Sequence, residues 1–79
     1  MSMAMTLADL PLLRPARIRS FRSLDAAERC RLGALGLREG ALIKKLLPTP
    51  LRDPIECLVG AQLLAIEAWL LALIEVDPA

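Results

Sequence analysis

The chain first shows an order of apolar and polar positions. Ala16 to Phe21 alternates, with Ala16 and Ile18 on one side and Arg17 and Arg19 on the other. A period of two with one apolar side predicts a half-buried strand, which Ser23 to Asp25 ends. Asp25 stands three residues before Glu28, the spacing of a capping box, and Ala26 to Leu35 are mostly good helix formers. Gly36 sits where a left-handed residue closes a helix. A helix over about 25–35 follows, although Gly33 weakens it and its apolar face is not clean. Leu37-Arg38-Glu39-Gly40 reads as a turn. Ala41 to Leu47 places Ile43, Leu46 and Leu47 around Lys44 and Lys45. Pro48 and Pro50 end it, and Leu51-Arg52-Asp53-Pro54 reads as a loop, since a residue before proline is pushed out of the helical region. Ile55, Cys57 and Val59 share one side of a further extended segment, closed by Gly60.

Two stretches resist this reading. Leu7 to Leu13 is apolar with Asp9 inside it, and reads as a short lead-in stopped by Pro11 and Pro15. Gln62 to Val76 is helix by propensity, because Leu, Ala, Glu and Gln dominate. The chain holds nine Val, Ile and Thr against thirty Leu and Ala. Propensity alone would make this an α protein.

Length and composition narrow the function classes. The 79 residues allow one small domain, and the sequence is 56% hydrophobic and 24% charged. There is no His, one Trp, one Phe and no Tyr. His-based acid–base chemistry and His metal ligation are excluded, and aromatic platforms for nucleic acid are disfavoured. Ten basic against nine acidic residues give +1, too balanced for an electrostatic partner such as nucleic acid. Residues 1–40 carry +3 and residues 41–79 carry −2, a polarity typical of a solvated surface.

Two cysteines, Cys30 and Cys57, cannot complete a four-ligand zinc site without His. Nor is their spacing that of a C-x-x-C redox pair. Met1 to Leu10 lacks the basic start of a secretory signal, so two ordinary thiols in a reducing compartment are expected. The apolar run from Ala61 to Val76 contains Gln62, Glu67 and Glu75. It falls short of the roughly 20 apolar residues a bilayer span needs. It also lacks the Lys and Arg of a peripheral membrane helix. No glycine-rich phosphate loop followed by Lys-Ser/Thr is present.

Several short motifs in order are informative together. Leu35-Gly36-Leu37-x-x-Gly40 is followed by Pro50-Leu51-x-Asp53-Pro54-Ile55, then Leu64-x-Ile66, then Ala72-x-Ile74-Glu75-Val76. Ile18-x-x-Phe21 and Arg29 fit upstream. This run, over residues 7–76, resembles the ferrous iron transport protein A family (FeoA). The resemblance implies one mainly β domain over 1–79, a small SH3-like barrel of about five strands with short helices. Strands would lie near 15–21, 41–47, 54–59, 62–66 and 73–76. The main helix would be 25–35, with a short helix near 67–71 that splits the Leu/Ala-rich run. Gly36, Gly40, Pro50, Leu51, Asp53 and Pro54 would be fold signature residues.

The resemblance further implies a cytoplasmic accessory protein of iron uptake. It would act by contact with the ferrous iron permease B (FeoB) and its GTP-binding domain. No catalytic residue, no metal ligand and no cofactor of its own are expected. The partner would be the permease, with no nucleic acid and no membrane contact except through it. The alternative is a regulatory domain partnering a metal-dependent repressor. The lack of a helix-turn-helix and of a basic stripe argues against it.

The sequence also departs from the family. Arg52 stands where Gly is common, Glu67 and Leu47 where a basic residue is common, and Ala68-Trp69-Leu70 where polar residues are usual. Two readings of this apolar excess stand open: Trp69 packs over the end of the barrel, or Trp69, Leu70 and Leu47 form an interaction patch for a partner or a homodimer, with Arg52 and Asp53 as further candidate contacts.

Overall fold

The computed structural model describes residues 5–48 and 53–79, the side chain of Pro48 excepted. Five strands and two short helices follow in the order β1 (Pro15–Phe21), α1 (Ala26–Ala34), β2 (Leu42–Pro48), β3 (Ile55–Val59), β4 (Gln62–Ile66), α2 (Ala68–Leu71) and β5 (Ile74–Pro78). They form one sheet in the order β4-β3-β2-β1-β5, with every neighbouring pair antiparallel. The mainly β expectation holds, with strand limits within two residues of those predicted.

The alternation in β1 has the predicted consequence. Ala16 and Ile18 are buried, while Arg17 and Arg19 are exposed. On β3, Cys57 and Val59 face inward beside a half-buried Ile55. With Ile43, Ile66, Ile74 and Val76 they build the core. The β-branched residues are few, but they stand at the inward positions, where a stiff side chain packs well on a pleated surface.

Helix α1 owes its place to its ends. The Asp25 carboxylate accepts the Glu28 amide at 2.8 Å, and the Glu28 carboxylate accepts the Asp25 amide at 3.2 Å. Both bonds satisfy donors that a helix start leaves orphaned. At the other end, Gly36 has φ 93°. Its amide donates to the Gly33 carbonyl at 3.0 Å, and the Leu37 amide reaches back to Leu32 at 2.9 Å. That pair of bonds closes the helix and needs the left-handed conformation glycine adopts at no steric cost. No residue of α1 is fully buried, so the helix lies on the core through half-buried Leu32 and the preceding Leu24.

The Leu/Ala-rich run divides as the family resemblance implied and against its own propensity. Leu64 and Ile66 turn inward in β4. Glu67 keeps an extended backbone, with φ −70° and ψ 149°. The Asp53 carboxylate accepts the Ala68 amide at 2.9 Å, fixing the start of α2. Burial of Leu70 and Leu71, then of Ile74 and Val76, sets the remaining alternation. Tertiary packing therefore outweighs helix preference over these residues.

The lead-in is more than an entry segment. Leu7 and Leu10 are buried in the core. The Leu7 amide donates to the Ile74 carbonyl at 2.8 Å, and the Val76 amide to the Met5 carbonyl at 2.9 Å. Residues 5–7 thereby cover the outer edge of β5. Asp9 belongs to this device: its carboxylate accepts both the amide and the hydroxyl of Thr6 at 3.1 Å. Those bonds, the backbone one foremost, hold its carboxyl below the usual aspartate range.

Of the fold-signature residues, Gly36 and Gly40 both have positive φ. Asp53 and Pro54 lead into β3, joined by a cis peptide bond. Pro50 and Leu51 lie outside the described residues.

Candidate functional site

An open groove of about 240 Å³ lies between α1 and the start of α2. Leu24, Glu28, Arg31 and Leu32 line one side, and Glu67, Trp69 and Leu70 the other. Helical spacing explains the first set, since Glu28, Arg31 and Leu32 project from one face of α1. The second set depends on α2, a single turn that is anchored twice. Leu70, 9% exposed, holds it to the core, and Asp53 holds its first amide. The next position along the turn, Trp69, is directed outward and is 56% exposed.

The patch reading is thereby revised. Trp69 is at the surface, as that reading requires. Leu70 is buried, because α2 needs an inward anchor and the residue beside Trp69 on a helix points elsewhere. Leu47 is 62% exposed, but it is not part of the groove. It projects from the outer face of the sheet, opposite Glu56 on β3, which in turn is opposite Ala65 on β4. Asp53 spends its carboxylate on the Ala68 amide and so acts on the site through α2. Arg52 lies outside the described residues. Residue types alone could not have added Leu24, Glu28, Arg31 and Leu32, because only the fold brings α1 against α2.

The groove offers an apolar floor with two carboxylates and one guanidinium at its rim, a surface for recognition. Elsewhere, Glu75 accepts the Ser20 hydroxyl at 2.7 Å and the Arg22 side chain. The Arg22 bond is the larger cause of a carboxyl held below the usual glutamate range. The Ser20 bond joins β1 to β5, the Arg22 bond joins β5 to the residue just after β1, and both are structural. Lys45 is 5% exposed. Two residues after Ile43 on β2, it shares the inward side and stands opposite Cys57. Its ammonium reaches the Ala8 carbonyl at 3.4 Å, and burial lowers its pKa.

Burial also pushes the Cys57 thiol up to about 11, far from the depressed value of a nucleophilic cysteine. Cys30 is exposed on α1. Among the described residues no group of three or more His, Cys, Asp and Glu is placed to hold a metal ion. No helix among them is long and apolar enough to cross a membrane.

Comparison with known proteins converges on one family. No curated protein matches the chain. Among solved structures, the FeoA protein of Chlorobium tepidum superposes with a TM-score of 0.82 at 35% identity, over 94% of this chain and 70% of that one. Iron(II) transport protein A of Clostridium thermocellum gives 0.81 at 29% identity, over 95% of this chain and 46% of that longer one. Stenotrophomonas maltophilia FeoA, an SH3 domain protein complexed with zinc, gives 0.75 at 30% identity, over 94% and 91%. The FeoA domain model matches residues 5–78. The chain belongs to the FeoA family of SH3-like proteins associated with ferrous iron transport.

Proposed function

We propose that this protein is a cytoplasmic accessory module of ferrous iron uptake. It acts by binding the FeoB-type permease at its GTP-binding domain, and it catalyses no reaction itself. The single domain over residues 1–79 presents Trp69 at the mouth of the α1–α2 groove as the main anchor. An exposed Trp beside a ready-made apolar pocket is the usual make-up of a binding hot spot. Trp69 carries the reading, because the sole Trp of the sequence stands 56% exposed beside the groove. Asp53 contributes by holding α2, and Leu47 supplies a separate apolar contact on the sheet. The Stenotrophomonas maltophilia relative, put forward as a ferrous iron transport activating factor, supports this direction.

Binding of this kind works by differential affinity. A module that contacts one conformation of the permease more tightly shifts the permease toward it, and no catalytic group is needed. The test is co-purification of the tagged chain with the FeoB-type permease expressed in the same membranes. The wild-type chain is expected to retain the permease, and the Trp69→Ala chain to lose most of it. Equal retention by both would remove Trp69 from the site, and no retention by either would remove the permease as partner.

A further inference from the structure

The two end strands of the sheet are treated differently. β5 is covered along its outer edge by residues 5–7. β4 pairs with β3 only, and among the described residues nothing bonds to its other side. The direction of its amides follows from the hairpin. Gly60 and Ala61 form a two-residue turn between Val59 and Gln62, and the Gly60 amide bonds away from β4, to Leu42 on β2. Amides alternate along a strand. Val59, Cys57 and Ile55 therefore turn theirs to β4, and Gln62, Leu64 and Ile66 answer them. Leu63 and Ala65 are left with amide and carbonyl directed outward.

Such an edge is normally blunted by Lys, Pro or a bulge. β4 reads Gln-Leu-Leu-Ala-Ile, without charge or proline, and its register with β3 is unbroken. Leu63 is 62% exposed, and Gln62 and Ala65 are exposed too.

We infer that β4 pairs with β4 of a second copy of this chain, antiparallel across a two-fold axis at Leu64. This register sets Leu63 opposite Ala65 of the second copy, twice. Each of these pairs exchanges two backbone bonds, so all four outward donors and acceptors are satisfied. A large side chain meets a small one in both. Leu64 meets its own copy on the axis. Glu67 falls opposite Ala61 of the second copy, so no like charges meet, and the net charge of +1 sets up little repulsion. A foreign strand would need its own match to this pattern, whereas a second copy supplies it by symmetry. The contact is one five-residue strand from each copy, short for a permanent interface. Dimers therefore form reversibly at raised concentration.

Sedimentation equilibrium of the chain alone, with amide hydrogen exchange by NMR, tests the pairing independently of any permease. The apparent mass is expected to rise from monomer toward dimer with concentration. The Leu63 and Ala65 amides should gain protection in step. Leu63→Lys, at an exposed position the fold does not need, should raise the dissociation constant about tenfold or more, while Leu47→Lys, two strands away, should leave it unchanged. Ala65→Pro, which removes one outward donor, should match Leu63→Lys if its denaturation midpoint shows it folded. A monomer at every concentration overturns the inference, even if β4 proves to bind a strand of another protein. So does a dimer that Leu47→Lys dissociates and Leu63→Lys does not, or one without new protection at Leu63 and Ala65.

Discussion

Cys57 and Lys45 face the same interior from adjacent strands, and burial acts on them in opposite senses. Each is driven toward its neutral form, which raises the thiol and lowers the ammonium. The consequence for stability can be signed. Between pH 9 and about 11 the native state keeps the Cys57 proton that an unfolded chain releases. More protons on the native side mean that stability falls as pH rises through this window. Lys45 works the other way, because the native state releases its proton first, and it offsets part of the fall. Cys57→Ala should therefore flatten the decline of the urea midpoint across that window, whatever it does to the midpoint at pH 7. An unchanged slope would mean that the thiol is more hydrated than its 0% exposure indicates. The inward side of Lys45 follows from period two, since it stands two residues after Ile43 on β2. What is not legible in the sequence is why the core accepts it: its ammonium reaches the Ala8 carbonyl, 37 positions away.

At the scale of elements, legibility follows how local the determining forces are. The start of α1 is written in Asp25 and Glu28 and its end in Gly36, all within the segment itself. Asp25→Ala should cost about 1 kcal/mol in chemical denaturation, and Asp25→Asn much less. The inward sides of β1 and β3 are equally local, since alternation alone gives them. The division of 62–76 into β4, α2 and β5 is not. Its residues favour helix, and only the family likeness placed the break. Physically the break depends on Asp53, fifteen positions from the amide it holds, and on which leucines the core accepts. The core role of Leu7 and Leu10, within the Leu7 to Leu13 lead-in, is hidden in the sequence for a similar reason. Asp9 interrupts an apolar run and looks like a polar intrusion until its bonds to Thr6 are seen. Leu7, 0% exposed, should behave as a full core residue. Leu7→Ala is expected to destabilise by about 2–5 kcal/mol, whereas a loose lead-in would register almost nothing.

Over the whole molecule, the sheet supplies the scaffold and its surroundings supply the contacts. The chain carries 56% hydrophobic residues, and the core takes only part of them. Trp69, Leu47 and Leu63 are more than half exposed on three different parts of the surface. The groove was half legible: the Ala68-Trp69-Leu70 stretch announced an apolar site, but α1's contribution and the inward turn of Leu70 required the fold. Trp69 is the sole Trp, so its fluorescence reports on the proposed interface without a label. The most direct measurement is a titration of the purified chain with the FeoB-type permease, followed by Trp69 emission with excitation selective against the permease's own tryptophans by their replacement with Phe. Saturable blue-shifted emission is predicted, and Trp69→Ala, followed by calorimetry, should weaken binding about tenfold or more. Emission that stays solvent-exposed at saturating permease, or undiminished affinity in Trp69→Ala, would contradict the account.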